Sequence, residues 1–293
     1  MSDQNAPVIL ITGCSSGFGL AAARHFAQAG WHVFASMRNP SVASALRSEA
    51  QTKQWLLSTP ALDVTQDASV SAAVSTLLAE TNGRLDVLVN NAGYFCFGPV
   101  EETHPDELRA QLETNLVGAL RLCRAVLPTM RACGRGRIIN VSSLAAVAVV
   151  PVLGPYHASK AALEALSQAL HFEVAPFGVH VSSILPGPFA TELLQKQVRV
   201  SASTEASTAY GELGERFVRL NAQAPRGNVA VVIRSIFDAA TARRPKARYF
   251  VGPLSFLSRW VYPLTPQWLY IFIIGKVFGL RRQASRPDAG ASN

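Results

Sequence analysis

Val8 to Thr12 is a short apolar run that breaks directly into the glycines of Thr12-Gly13-Cys14-Ser15-Ser16-Gly17-Phe18-Gly19. A helical pattern from Phe18 to Ala29 follows, and after Gly30 a second apolar run, His32 to Ser36. Strand, tight turn, helix, strand within about 30 residues is one βαβ unit. The alternation continues: Trp55 to Leu62 reads as a strand with a proline irregularity, Ala68 to Glu80 as a helix and Leu85 to Asn90 as a strand. Pro105 to Met130 reads as one long helix, Arg137 to Ser142 as a strand, Pro155 to Ala175 as a helix and Val179 to Ile184 as a strand. From about 185 to 225 the chain is polar and irregular, and a helix (Asn228 to Thr241) and a short strand (Arg248 to Val251) then close the sheet. Strands alternating with helices imply an α/β fold, a doubly wound parallel sheet covered on both faces.

Composition narrows the partners. The chain has 293 residues, 49% of them hydrophobic, so core is plentiful, and only 16% are charged. The net charge of +8 comes without any basic run longer than Arg243-Arg244 or Arg281-Arg282 and without a recognition-helix or zinc pattern. A nucleic-acid partner is therefore not expected, and a scattered basic surface that partly serves an anionic cofactor is. Cys14, Cys96, Cys123 and Cys133 show neither metal-ligand spacing nor a disulfide framework, so no metal and a reducing cytoplasm are expected. Met1 to Pro7 is short and polar and lacks a signal peptide's basic start and apolar stretch.

The glycine turn lies after a strand and before a helix, where glycines permit close backbone approach to a pyrophosphate on the helix N-terminus. Its spacing is Gly-x-x-x-Gly-x-Gly, and a turn without a ligand is the bland alternative. Tyr156 and Lys160 stand four residues apart, which places them one turn apart on one helix face. A lysine ammonium there is expected to lower the phenol's pKa from about 10, so that the tyrosine can pass a proton to or from an alcohol oxygen. Ser143, thirteen residues before the tyrosine, can share that oxygen; its neighbour Ser142 is expected to be structural.

Taken together, residues 7–252 resemble the short-chain dehydrogenase/reductase family. The motifs that carry the resemblance are Thr12-Gly13-x-x-x-Gly17-x-Gly19, Asp63-Val64, Asn90-Asn91-Ala92-Gly93, Asn115, Ser143, Tyr156-x-x-x-Lys160, and Pro186-Gly187 with Thr191. The resemblance implies a Rossmann-type dinucleotide fold in which Thr12, Gly13, Ser15, Ser16, Gly17, Phe18 and Gly19 hold the pyrophosphate. Asp63 and Val64 would contact adenine, and Asn90, Ala92 and Gly93 would line the adenosine side. Tyr156 would be the general acid/base, Ser143 would hold the substrate oxygen, and Lys160 would bind the nicotinamide ribose. Asn115 would order a relay water; Pro186 and Gly187 would border the nicotinamide, Thr191 would bond its carboxamide, and Phe189 would begin the lid. A Ser-Tyr-Lys hydrolase fits poorly, because the dinucleotide elements would be idle.

The second strand ends Phe34-Ala35-Ser36-Met37-Arg38 with no acid to bond an NAD ribose diol. Arg38, with Ser36 beside it, is placed for a 2′-phosphate, so NADP(H) is expected and NAD(H) is the alternative. A neutral Cys14-Ser15-Ser16 in the glycine loop, where NADP-dependent relatives often carry a basic residue, argues the other way. Tyr94-Phe95-Cys96-Phe97-Gly98, the aliphatic Val147 to Leu153, and Phe189, Leu193 and Leu194 fit a lipophilic carbonyl of steroid, retinoid or long-chain aldehyde type, or equally serve as core and subunit contact. The pattern looks most like the 17β-hydroxysteroid and retinol dehydrogenase branch.

The expected organisation is a catalytic domain over 1–253 with a lid at about 187–225, a hydrophobic extension over 254–282 and a disordered tail over 283–293. Trp260 to Gly275 is the longest uncharged stretch there, 16 residues, short of the roughly 20 a spanning helix needs. The extension either lies as an interfacial helix on a membrane or covers the cleft or a sister subunit, the latter being favoured slightly. A homodimer or homotetramer is expected by resemblance only. The competing function is a non-catalytic NADP(H)-binding regulatory protein or membrane-peripheral scaffold that kept the fold.

Overall fold

The computed structural model describes residues 6–189, 198–200 and 209–280. In chain order the elements are β1 Val8–Ile11, α1 Gly17–Gln28, β2 His32–Ala35, α2 Ser44–Thr52, β3 Leu57–Ser58, α3 Asp67–Glu80, β4 Val87–Asn90 and β5 Cys96–Phe97. They continue with α4 Pro105–Leu112, α5 Gly118–Ala132, β6 Gly136–Val141, α6 Gly154–Val174, β7 Val179–Pro186, β8 Val198–Arg199, α7 Gly211–Gln223, α8 Val229–Thr241, β9 Arg248–Val251 and α9 Gln267–Val277. Seven strands form one parallel sheet in the order β3-β2-β1-β4-β6-β7-β9, while β5 and β8 pair separately. This is the doubly wound α/β sheet that the alternation predicts.

The apolar runs are continuous because both faces of the sheet are covered. Successive strand side chains point to opposite faces. Ile9 and Ile11 accordingly join Phe26 of α1 and Val232 and Ile236 of α8 in one core, whereas Val8 and Leu10 join Leu77 of α3 and Leu122 and Val126 of α5 in the other. From β1 the chain winds outward through β2 to β3, and from β4 it winds the opposite way. The crevice outside the carboxyl ends of β1 and β4 is where such a sheet binds ligands.

Three expectations change. The strand read over 55–62 shrinks to β3, because Pro60 has no N–H for the ladder and pairing resumes only at a single Met37–Ala61 bridge. The long helix over 105–130 is α4 and α5 joined by a π-helical turn, Glu113–Val117. His104 and Glu107 cap the start of α4 reciprocally. The stretch read as irregular holds α7, whose Leu213, Phe217 and Leu220 share one face and pack toward Phe97 and Phe278. The extension after Val251 folds as a π-helical turn (Leu257–Val261), a 3-10 turn (Tyr262–Leu264) and α9.

Candidate active site

The glycine turn is built by a junction between the ends of β1 and β4. Thr12 Oγ1 accepts the backbone N–H groups of Asn91 and Ala92, both at 3.0 Å. The Asn91 side-chain amide donates to the Thr12 carbonyl at 2.8 Å and the Gly13 carbonyl at 3.2 Å. Gly13 adopts φ +72°, in the left-handed region, and a methyl group on Gly19 would sit 2.5 Å from the Gly13 carbonyl oxygen. The first turn of α1 carries no acid, so no carboxylate offsets the positive end of the helix dipole there. Gly13, Ser15, Ser16, Gly17 and Phe18 line one side of a cleft of about 1180 Å³. A glycine cradle that a Cβ would fill, opening on an uncompensated helix N-terminus, fits a dinucleotide diphosphate.

Arg38 is exposed at the rim of the same cleft, with Asp63 and Val64 across from it. Ser36 does not join Arg38: it is buried, and its hydroxyl donates to the Ile11 carbonyl at 3.1 Å. Asp63 accepts from Thr65 N at 3.0 Å and Thr65 Oγ1 at 2.8 Å, which shapes the turn on that side of the cleft.

At the other end, β6 delivers Ser143 and α6 delivers Tyr156 and Lys160 one turn apart. Ser143 caps the short turn Leu144–Ala146, accepting from Ala145 N at 3.1 Å, and its hydroxyl also hydrogen-bonds the Tyr156 phenol. Ser142 is buried and its hydroxyl has no hydrogen-bond partner among the described residues. Lys160 is buried; its Nζ donates to the Val141 carbonyl at 2.9 Å and lies 6.0 Å from the Tyr156 ring centroid. Burial holds the phenol above its ordinary pKa, and the Ser143 hydrogen bond pulls it only part of the way back. Burial also pushes the Lys160 ammonium down to about 8. A net rise therefore stands in place of the expected lowering by Lys160: desolvation of the phenol outweighs the Ser143 hydrogen bond, and the Lys160 ammonium is turned onto the Val141 carbonyl.

Behind this face lies a second layer. Asn115 sits in the π-helical turn, buried, donating to the Tyr94 carbonyl at 2.9 Å and to Ser159 Oγ at 3.1 Å. Single π turns recur at functional positions; here the turn swings Asn115 toward α6. Thr12, Asn90, Asn115 and Lys160 border a separate cavity of about 10 Å³, roughly one water in size. Asn90 is thus held away from the large cleft, its amide donating to Asn140 Oδ1 at 2.9 Å. Ala92 and Gly93 line the large cleft.

Pro186 and Gly187, at the end of β7, complete the floor. Phe189 is buried with its ring edge-on to Phe18 of α1, centroids 5.5 Å apart. Thr191, Leu193 and Leu194 lie outside the described residues. Above Tyr156 the walls become aromatic: Phe95 lies 5.7 Å from the Tyr156 ring, and Phe97 stacks on Phe217 at 5.7 Å. Phe278, from the C-terminal extension, is buried in the same cluster.

Two residues of this site escaped the sequence reading of single roles. Asn91, inside the recognised Asn-Asn-Ala-Gly run, is the clamp on the glycine turn. His157 gives no signal beyond its place beside Tyr156. Its Nε2 accepts from Val150 N at 3.0 Å, so Nδ1 carries the proton and donates to the Ala145 carbonyl at 2.7 Å. Burial pushes the His157 pKa below the ordinary value, consistent with this neutral tautomer. The ring staples together the 145–150 loop, of which Ala145, Ala148 and Val150 line the cleft.

The short chain dehydrogenase pattern matches residues 7–201. The 3-ketodihydrosphingosine reductase of Bacteroides thetaiotaomicron is 36% identical over 253 residues, covering 84% of this chain and 88% of its own length. Human 17-beta-hydroxysteroid dehydrogenase type 1 is 35% identical, covering 83% of this chain and 76% of its own. The crystal structure of a short-chain dehydrogenase from Streptomyces avermitilis superposes with a TM-score of 0.79 at 34% identity, covering 94% of this chain and 98% of that one. With the Ser143, Tyr156 and Lys160 side chains gathered at one end of a dinucleotide-shaped cleft, the chain belongs to the short-chain dehydrogenase family, oxidoreductases acting on CH–OH groups.

Proposed function

We propose that the protein is an NADP(H)-dependent oxidoreductase that interconverts a hydroxyl and a carbonyl on a lipophilic substrate. The observation that carries this reading is the continuity of one cleft: it runs from Arg38 past the glycine turn to Ser143 and Tyr156, then on between Phe95, Phe217 and Phe278. The two named relatives act on a ketodihydrosphingosine and a hydroxysteroid, which supports an apolar substrate.

The bound dinucleotide supplies the hydride chemistry. This chain's residues bind, orient and move the proton. Ser143 and the Tyr156 hydroxyl converge on the substrate oxygen and polarise it as charge develops. With its pKa raised, the phenol is protonated near neutral pH and can donate to that oxygen. Lys160 would hold the ribose hydroxyls, and the water-sized cavity it shares with Asn115 supports a proton route away from the site. The test is oxidation of NADPH with a panel of steroid ketones, retinal, keto-sphingoid bases and long-chain aldehydes. Turnover of at least one apolar carbonyl is expected; turnover of small polar carbonyls alone would refute the substrate class.

Arg38 decides between the dinucleotides. A charge-assisted hydrogen bond contributes about 1.5–3 kcal/mol, so Arg38→Ala should weaken NADPH binding about ten- to a hundredfold and leave NADH nearly unchanged. An equal loss for both, measured by fluorescence titration, would remove the phosphate role.

His157 acts as a positioning residue for the substrate side. His157→Phe keeps the ring volume but strips partners from Val150 N and the Ala145 carbonyl, a cost of about 1–3 kcal/mol. The expected result is a KM for the carbonyl raised about tenfold, with kcat affected less. His157→Gln, which can both donate and accept, should restore most of the KM. A lowered melting temperature with unchanged KM in the Phe variant would reduce the residue to a purely structural role.

A further inference from the structure

The C-terminal extension has two sides with different fates. One side is fastened to the catalytic body. The Tyr270 hydroxyl donates to the Val149 carbonyl at 2.6 Å, Arg216 Nε donates to the Val277 carbonyl at 3.0 Å, and Phe278 is buried in the aromatic cluster. The other side is open. Phe256, Trp260, Leu264, Trp268, Ile271 and Phe272 are all exposed, Leu264 to 83% and Trp268 to 70%. Scattered exposed apolar residues are ordinary, but so dense an array of large ones on one fixed segment marks an interaction surface.

The charges say what covers it. Between Asp238 and Leu280 the chain has no carboxylate, yet it carries Arg243, Arg244, Lys246, Arg248, Arg259 and Lys276. Arg248 is paired with Glu164 inside the fold, whereas two others stand on the rings of the open face itself. The Arg259 guanidinium lies 4.7 Å from the Trp260 ring centroid and Lys276 Nζ 4.6 Å from that of Phe272. No helix among the described residues is long and apolar enough to cross a membrane. Tryptophan and phenylalanine on one side, cations beside them and a helix of 11 residues are the makings of a surface that lies in the headgroup region. A second copy is the poorer occupant, since a two-fold contact would set this carboxylate-free face on itself and bring like charges together.

We propose that the face formed by Leu254–Leu280 docks on an anionic lipid bilayer and turns the mouth of the active-site cleft toward it. The same segment that carries the face supplies Leu254, Ser258, Val277 and Phe278 to the wall of the cleft. An apolar substrate dissolved in the bilayer would then reach Tyr156 along the aromatic wall without crossing bulk water. This delivery rests on the lipophilic-substrate reading; the docking itself does not.

Co-sedimentation of the full chain with phosphatidylcholine vesicles, with and without phosphatidylglycerol, tests the docking. The wild type is expected to pellet with the anionic vesicles, less with the neutral ones, and to be released by high salt. Trp268 and Ile271 lie three residues apart on one face of α9. The double variant Trp268→Asp, Ile271→Asp should lose about tenfold or more in partitioning while binding NADPH as the wild type does. A wild type that stays in solution with both vesicles, or a variant that pellets equally well, would overturn the proposal. A wild-type dimer that this variant dissociates in the absence of vesicles would assign the face to a second copy and overturn it as well. Docking without turnover of any apolar carbonyl would leave the docking standing and defeat the substrate reading.

Discussion

Tyr156→Phe is expected to lower kcat by about a hundred- to ten-thousandfold, the range for removal of a positioned general acid, while NADPH affinity stays within about twofold. The phenylalanine ring keeps the contact with Phe95 at 5.7 Å and the place on α6, so the fold has no reason to respond. What disappears is one hydroxyl that bonds Ser143 and faces the cleft. Ser143 can still polarise a carbonyl, but it carries no proton it can give up near neutral pH. Lys160 cannot substitute: its ammonium is turned onto the Val141 carbonyl and is buried. The geometry also says in which direction the loss is simplest to read. Because burial keeps the phenol protonated, the reductive reaction starts from the form that donates, and no prior ionisation complicates the comparison. Steady-state rates with an accepted carbonyl, together with a fluorescence titration of NADPH, separate proton transfer from binding. A kcat within threefold of the wild type would end the acid/base assignment.

The parts of this molecule that were legible in the sequence are those where one physical demand fixes the residue type. A sheet covered on both faces needs continuous apolar strands, so β1, β4, β6 and β7 announce themselves. The tight turn after β1 needs residues without a side chain, and a spacing of four sets Tyr156 and Lys160 one turn apart on α6. The rest depended on geometry that residue type does not encode. The break at Glu113–Val117 leaves helical periodicity almost unaltered, yet it swings Asn115 toward Ser159. Ser36 looks like a partner for Arg38 until its hydroxyl is seen on the Ile11 carbonyl. The sign of the Tyr156 shift depended on how deeply the phenol and Lys160 are buried, which no spacing reveals. For α7 the signal was present in Leu213, Phe217 and Leu220, masked by the glycines and charges around them. The extension offered two readings, a cover for the cleft or an interfacial helix; its fastened side matches the first, and its open side motivates the second.

Gly19→Ala should cost dinucleotide affinity at least about a hundredfold, although it adds a single methyl group at the start of a helix, where alanine is otherwise favoured. The methyl carbon would lie 2.5 Å from the Gly13 carbonyl oxygen, 2.9 Å from the Gly13 carbonyl carbon and 2.6 Å from Asn91 Nδ2. None of these neighbours is a free side-chain end that can swing aside. The Asn91 amide is spent on the Thr12 and Gly13 carbonyls, and Asn91 N is itself held by Thr12 Oγ1. Gly13 is confined by φ +72° and by Ala92, whose Cα would stand 2.9 Å from any Cβ placed there. Room for the methyl can therefore come only from parting the β1 turn from the end of β4 or from tilting α1 away from it. Either movement pulls the amides at the start of α1 off the line on which a diphosphate would lie. Overpacking of this kind costs about 1–3 kcal/mol in stability, so a modest fall in melting temperature should accompany a disproportionate loss in binding. Calorimetric titration of NADPH beside a thermal melt distinguishes the two. Wild-type affinity in a destabilised variant would show that the clash relaxes elsewhere, and that the junction of Thr12, Gly13 and Asn91 supports the fold without shaping the cofactor seat.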